Sequence, residues 1–157
     1  MSEPIPIAEA RRRVLESIHP LDAEDVPLGE ALGRVLAEDV VSEAAVPPFD
    51  GSAMDGFALP AGAEGSLEVV GESRAGRPWT ERLEAGTAVR ISTGAAVPAG
   101  TAAVVPVENV TEGQGVVEVP PTPDGAHVRL RGEDVQPGNV VLRRAAPWWQ
   151  SSPPATS

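Results

Sequence analysis

The sequence contains no cysteine and no lysine, and both absences limit the chemistry open to the protein. Without cysteine, the chain cannot form disulfides, Cys-ligated zinc sites or thiol nucleophiles. Without lysine, it lacks the flexible point-charge cation that many proteins place on a phosphate. Its 12 cationic side chains are all arginines and face 23 acidic residues, for a formal net charge of -11. This balance argues against sequence-independent nucleic-acid binding, which depends on cationic contacts to phosphate.

Aromatic residues and long apolar runs are also scarce. Aromatics make up 3% of the chain, so the core must consist mainly of Val, Ala, Leu and Ile. No stretch approaches 18 apolar residues, and the first residues contain no apolar run of signal-peptide length. We therefore expect a cytoplasmic protein without a membrane partner. A length of 157 residues allows one ordinary domain or two small ones.

Two amphipathic helices are predicted near the N-terminus, from about Ile7 to about Ile18 and from about Leu28 to about Ala37. Their apolar stripes consist of Ile7, Val14, Leu15 and Ile18, and of Leu28, Leu32, Val35 and Leu36. Gly29 and Gly33 weaken the second helix by about 1 kcal/mol each relative to alanine. Helices of this kind are expected to pack on a sheet or against a second subunit.

After Pro47 the pattern changes to short strands. They are predicted at Leu67–Val70, Thr87–Ile91, Ala102–Val107, Val116–Val119, His127–Leu130 and Val140–Leu142. Short strands at even spacing are typical of a barrel or a sandwich. A hairpin turn is predicted at Glu112-Gly113-Gln114-Gly115.

The predicted fold class is α+β and mostly β, with short N-terminal helices followed by a small β-barrel-like domain of short strands. The predicted boundaries are a helical extension over residues 1–46, a β domain over 47–142 and a disordered tail over 143–157. The tail is rich in Pro and Ser and has no pattern that would fold alone.

The most informative segment runs from Pro47 to Leu59 and reads PPFDGSAMDGFAL. Its prolines and two Asp-Gly pairs predict a tightly shaped turn. The predicted anchors to the core are Phe49, Met54, Phe57 and Leu59. Asp50, Ser52 and Asp55 are then expected to face solvent or a ligand. By itself, this pattern is more typical of a structural turn than of a functional site.

Two later motifs change that balance. The segment Val89–Val105 is predicted to form a strand, a turn with the sequence Ser92-Thr93-Gly94-Ala95 and a second strand. The segment Arg129–Gly138 places Glu133 and Asp134 at a turn after a strand-like alternation. A hydroxyl at a strand end usually serves as a turn former, so the motif with Ser92 and Thr93 does not identify a site by itself.

Together and in this order, the three motifs resemble the amino-terminal half of the molybdopterin molybdenumtransferase family, from about Ile7 to about Leu142. The resemblance implies hydrolysis of adenylylated molybdopterin coupled to molybdate insertion, with Mg²⁺, in a cytoplasmic homodimer. The family continues into a pterin-binding α/β domain and a small β domain, which are absent here. We therefore expect a truncated chain that carries one half of the active site.

By this resemblance, Asp55, Thr93 and Asp134 are the catalytic candidates, and Asp55 and Asp134 are the candidate Mg²⁺ ligands. The weaker candidates for binding substrate or anions are Asp50, Ser52, Ser92, Gly94, Glu133 and Arg131. Gly94 and Ala95 are expected to let an anionic ligand approach backbone N–H groups. Mg²⁺ would join the carboxylates to the anionic substrate, because it binds both carboxylate and phosphate oxygens.

Two other interpretations stay open. The chain could be a non-enzymatic dimerisation or scaffold module that pairs with a separate pterin-binding partner, or an inactive truncated gene product. A histidine metal site is not expected, because His19 and His127 have no third ligand nearby in the sequence. Arg129 and Arg131 share one strand face, and we expect them to pair with carboxylates rather than with a phosphate.

Overall fold

The computed structural model describes residues 4–19 and 21–145, which form one α-helix, two short 3-10 turns and ten short strands. Helix α1 spans Ile7–Glu16. The strands are β1 (Val40–Val41), β2 (Gly51–Ser52), β3 (Gly56–Leu59), β4 (Gly65–Ser73), β5 (Thr87–Ile91), β6 (Ala103–Pro106), β7 (Thr111–Gly113), β8 (Val116–Val119), β9 (Val128–Arg129) and β10 (Val140–Leu142). The prediction of a mostly β fold is confirmed. Within the described residues, no helix is long and apolar enough to cross a membrane.

A curled six-stranded sheet organises the segment Val41–Asn139. Its strand order is β6-β3-β5-β4-β8-β7, with β4 and β5 parallel and the other neighbours antiparallel. Both faces of β3 are buried, because Phe57 and Leu59 belong to one apolar cluster and Ala58 to another. Successive side chains of a strand point to opposite faces, so β3 contributes to the core on both sides.

The chain divides into two compact units. One consists of the chain's two ends, up to Val40 and from Val140, and the other is Val41–Asn139. The boundary falls inside β1, which pairs with β10 in a two-stranded sheet. The proposed division into a helical extension and a β domain stays a prediction. The predicted tail lies outside the described residues beyond residue 145.

The first predicted helix is present and the second is wrong. Helix α1 begins at Ile7 as predicted and ends at Glu16, two residues early. In place of the second helix, the chain forms only a 3-10 turn at Leu28–Glu30. Gly33 has a φ of +82°, a left-handed conformation that a continuing α-helix cannot contain. Helix α1 contains no buried residue, and the apolar side chain of Ile7 is 88% exposed.

The interior strand β3 lies inside the segment that the sequence predicts as a turn. All four of its residues are buried, with Phe57 0% and Leu59 1% exposed, so these two predicted anchors are correct. The other two are wrong, because Phe49 and Met54 are 46% and 38% exposed. A strand covered on both faces shows no polar alternation, which removes the pattern that would reveal it.

The six predicted strands are all present, with small shifts of their ends. Four further strands, β1, β2, β3 and β7, were not predicted. Three of them have only two or three residues, too few for a periodic pattern. The predicted hairpin joins β7 to β8, and Gly115 in its turn has a φ of +83°.

We expect Gly56→Ala to destabilise the protein by about 3 kcal/mol or more, because overpacking against backbone cannot be relieved by a rotamer change. A Cβ at Gly56 would lie 1.9 Å from the Val105 carbonyl oxygen on the neighbouring strand. Chemical denaturation measures the free energy of unfolding. Gly113→Ala is the matched control, since its Cβ would have 4.0 Å to the nearest atom. Equal stability of the two variants would contradict the tight β3–β6 contact.

Candidate functional site

The three motifs meet around strand β2. Gly51 pairs with Arg129 of β9 on one side and forms an isolated bridge with Ala96 on the other. The backbone of Ser52 also accepts from Gly94 N at 2.8 Å and donates to Ala95 O at 3.0 Å. The first motif therefore lies between the turn after β5 and the segment around β9.

Asp55 and Thr93 are in direct contact across 38 positions of sequence. Asp55 Oδ1 accepts hydrogen bonds from the Thr93 backbone N at 2.7 Å and from Thr93 Oγ1 at 3.1 Å. The sheet explains this contact, because Asp55 precedes β3, Thr93 follows β5, and these strands pair Gly56 with Ile91. Both residues are exposed. Both hydrogen bonds use Oδ1, which leaves Asp55 Oδ2 available to a ligand.

Asp134 lies on the loop after β9, which is fastened to the other end of the first motif. Its backbone N donates to Val46 O at 3.0 Å, and Gly132 N donates to Pro47 O at 2.9 Å. The Asp134 carboxylate forms an ion pair with Arg129, with Oδ1 to Nη2 at 2.5 Å. This contact raises the pKa of Arg129 above its ordinary value. The predicted pairing with a carboxylate is therefore correct for Arg129, whereas Arg131 takes part in no ion pair among the described residues.

The structure thus brings Asp55 and Thr93 together and leaves Asp134 on a neighbouring loop. No hydrogen bond among the described residues joins Asp134 to either of the other two. All three are exposed and belong to the same compact unit, Val41–Asn139. Asp55 and Thr93 therefore form an exposed pair, and Asp134 is exposed on a loop of its own.

Three of the weaker candidates are engaged in holding the loops. Asp50 Oδ1 accepts from Arg131 N at 2.6 Å, and Arg131 Nε donates to Pro48 O at 3.1 Å. Glu133 Oε2 accepts from Leu130 N at 3.0 Å, which closes the turn locally. Asp50 and Arg131 therefore join the first motif to the third.

The expectation that Ser52 faces solvent or a ligand is wrong. Its side chain is buried, at 3% exposure, and its hydroxyl donates to Met54 O at 2.6 Å. A serine side chain is short, and its hydroxyl readily bonds to a backbone carbonyl two residues away. This local hydrogen bond is favoured over a conformation that faces solvent. Ser52 shapes the approach to Asp55 instead of contacting a ligand.

The backbone amides of the turn after β5 are already engaged. Thr93 N donates to Asp55, Gly94 N donates to Ser52 O, and Ala95 N donates to Ser92 O. The expected approach of an anion to the amides of Gly94 and Ala95 therefore has no free donor. Gly94 is required for its backbone, since its φ is +77°.

Ser73 is a site-supporting residue that the sequence did not reveal. It is fully buried at the end of β4, and its hydroxyl donates to Ala96 O at 2.7 Å and accepts from Trp79 N at 3.2 Å. Its carbonyl oxygen accepts from Ser92 N at 3.1 Å. A serine at a strand end carries no signal of burial, so only the folded sheet identifies this role.

The carboxylates of this region provide only some of the ligands that a magnesium ion needs. Asp55 and Asp134 supply carboxylate oxygens, which Mg²⁺ prefers. However, within residues 4–19 and 21–145 no group of three or more His, Cys, Asp or Glu is placed to hold a metal ion. Protein groups alone would therefore bind Mg²⁺ weakly, and a phosphate-bearing substrate would have to supply further ligands.

Known proteins resemble this chain over most of its length. Residues 5–147 match the family model described as the MoeA N-terminal region (domain I and II). A protein named Molybdopterin molybdenumtransferase from Haemophilus influenzae is 40% identical over 145 residues, covering 88% of this chain and 36% of that protein. Molybdopterin molybdenumtransferase 2 from Mycobacterium tuberculosis is 42% identical over 146 residues, covering 87% and 36%.

A solved structure shows the same fold. The molybdopterin biosynthesis moeA protein from Pyrococcus horikoshii OT3 superposes with a TM-score of 0.84 at 39% identity, over 90% of this chain and 40% of that one. The chain thus spans little more than a third of the length of these relatives. Because the family model covers nearly all of its residues, the chain belongs to the family of the MoeA N-terminal region, domains I and II.

Proposed function

We propose that this chain contributes the amino-terminal half of a molybdopterin molybdenumtransferase site, which inserts molybdate into adenylylated molybdopterin. Family membership supports the reaction class, since the similar proteins from H. influenzae and M. tuberculosis carry that name. The observation that carries the assignment of residues is the contact between Asp55 and Thr93. It joins two motifs that are far apart in sequence into one exposed acidic group.

Thr93 orients the Asp55 carboxylate and leaves one of its oxygens for the substrate side. Two donors from one residue fix the direction of Oδ1, so Oδ2 has a defined position in solvent. In this role Asp55 accepts a proton or a hydrogen bond from a water beside the substrate phosphate. Asp134, held by its loop and by Arg129, is the second carboxylate of the proposed site.

Asp55 and Asp134 are the residues that would hold Mg²⁺ in this proposal. The ion would supply positive charge between these carboxylates and the anionic substrate. The chain needs such a charge, because its formal net charge is -11 and it contains no lysine. Asp50, Glu133 and Arg131 then act by holding the loops in place.

The other half of the site would come from a pterin-binding domain. The chain spans 36% of the length of the first two relatives, which leaves room in those proteins for such a domain. In the proposal, that domain belongs to a second subunit of a homodimer in the cytoplasm. The chain on its own is then expected to show no molybdenum insertion.

A non-enzymatic scaffold is the second candidate function. Exposed apolar side chains favour it: in the unit formed by the chain's ends, Leu21, Leu28 and Leu32 are each more than 90% exposed. A surface of this kind is typical of a face that another protein covers. Co-purification with a separate pterin-binding protein, without molybdenum insertion by the pair, would favour the scaffold.

A chimera tests the proposed function directly. Residues 5–147 of this chain replace the matching region of the H. influenzae relative, and molybdenum insertion is measured for the chimera and for the chain alone. We expect an active chimera and an inactive chain. Asp55→Asn in the chimera should lower kcat by about 100-fold or more, because it removes a preorganised charge beside the substrate.

Glu64→Gln is the matched control in the chimera. Glu64 is exposed and precedes β4, at the sheet edge opposite Asp55. This variant should keep kcat within about twofold, since isolated surface charges contribute little. A folded chimera without activity, or an Asp55→Asn chimera as active as the control, would count against the catalytic assignment and in favour of the scaffold or of an inactive product.

Magnesium alone should stabilise the chain very little. With at most two carboxylates available, we expect about 1 mM Mg²⁺ to raise the free energy of unfolding by less than about 0.5 kcal/mol. Denaturation with and without the ion, at matched ionic strength, gives this value. A large saturable increase that disappears in Asp55→Asn would show a preformed metal site and contradict the substrate-dependent one.

A further inference from the structure

A small hairpin leaves the sheet at the edge that carries Asp55 and Thr93. Strands β4 and β5 run parallel with Ser73 in register with Ile91, so both end at this edge. The residues that follow Ser73 form the hairpin, in which Arg74 and Arg77 exchange two backbone hydrogen bonds of 3.0 and 2.9 Å. Gly76, the second residue of the two-residue turn, has a φ of +76°, which a type II turn requires at this position.

The hairpin is held rigidly against the turn that carries Thr93. The buried hydroxyl of Ser73 links the Trp79 amide to the Ala96 carbonyl, and its own carbonyl accepts from Ser92. A buried polar group with all its partners in place holds its neighbours in one arrangement. The base of the hairpin is therefore anchored to the turn that carries Thr93.

A cleft of about 280 Å³ lies on this hairpin. Arg74, Arg77, Trp79 and Thr80 line it together with Glu72 and Glu81. The Trp79 ring forms one side of the cleft and packs closely over Gly71. A Cβ added at Gly71 would lie 2.2 Å from the ring. Trp79 Nε1 is buried and finds no hydrogen-bond acceptor among the described residues.

The cleft lining carries two arginines and two glutamates and so has no net charge, but the carboxylates do not pair with both arginines. The pKa of Glu72 is lowered, first by its hydrogen bond to Arg74 and then by the charges of Arg74, Arg90 and Arg77. Two of these arginines are neutralised, because Arg74 pairs with Glu72 at 2.6 Å and Arg90 pairs with Glu112. Arg77 takes part in none of the ion pairs among the described residues.

We propose that this cleft binds a tetrahedral oxyanion, with Arg77 as its main cationic contact. A guanidinium can donate to two oxygens of a phosphate or a molybdate at once. The inference rests on the proposed function for the source of the anion, which is either the phosphate group of the pterin substrate or molybdate. Arg77 thereby supplies a cationic contact that the carboxylates of Asp55 and Asp134 cannot provide.

Inorganic phosphate and molybdate, titrated separately into the ¹⁵N-labelled chain at about 0.15 M ionic strength, test this inference. We expect saturable NMR shifts in the amides of residues 74–81 with at least one of the two anions. Arg77→Gln should weaken that binding about tenfold, because it removes a charged hydrogen-bond donor. Glu81→Gln should strengthen it by about two- to fivefold, because it removes a like charge beside the anion.

Arg82→Gln is the matched control, since it makes the same charge change at an exposed residue outside the cleft lining. This variant should leave the affinity unchanged. Misfolding cannot produce stronger binding, so the gain expected in Glu81→Gln is an effect of charge. Absent shifts with both anions, or equal weakening by Arg77→Gln and Arg82→Gln, would overturn the inference.

Comparison of the two affinities identifies the source of the oxyanion that the cleft binds. Tighter binding of phosphate assigns the cleft to the phosphate group of the substrate, and tighter binding of molybdate assigns it to the metal oxyanion. None of these measurements uses molybdenum insertion. A failed chimera therefore leaves the binding result intact, and absent binding in an active chimera rejects the cleft alone.

Discussion

The pairing of β3 on both sides is the constraint on which the rest of the structure depends. Its residues hydrogen-bond to β5 and β6 and its side chains enter two apolar clusters. Gly56 allows the carbonyl of Val105 to approach closer than any Cβ would permit. The register that follows places Asp55 at the edge where β5 ends, which is why it contacts Thr93. A candidate site residue is thus positioned directly by the core.

Charge is the second constraint, because the exposed carboxylates and the arginines of the hairpin lie on different segments of the chain. Asp55 and Asp134 are both exposed, and Arg129 is committed to Asp134 by an ion pair. The neighbouring hairpin carries arginines, one of which has no carboxylate partner among the described residues. An anionic substrate that reacts beside carboxylates needs such a separate cationic contact, because oxyanions and carboxylates repel each other. Ser73 ties the two regions together through buried hydrogen bonds.

Local sequence signals predicted some elements and missed others for identifiable reasons. Thr87–Ile91 and Val116–Val119 have clear strand patterns bounded by turns, and both appear with the predicted ends. The stripe over residues 28–37 suits a helix, yet left-handed Gly33 ends the helical path. Ser52 illustrates the limit for site residues, because its burial and its bond to Met54 O depend on how the loop folds.

The sequence by itself determined the family resemblance, the order of the three motifs, the mostly β class and the excess of acidic charge. These properties are carried by residue identities and by short-range patterns. Only the tertiary structure decided that Asp55 meets Thr93, that the amides of the 93–95 turn are engaged and that Ser73 is buried beside them. Such contacts join residues tens of positions apart, and they follow from strand register, which no local pattern specifies.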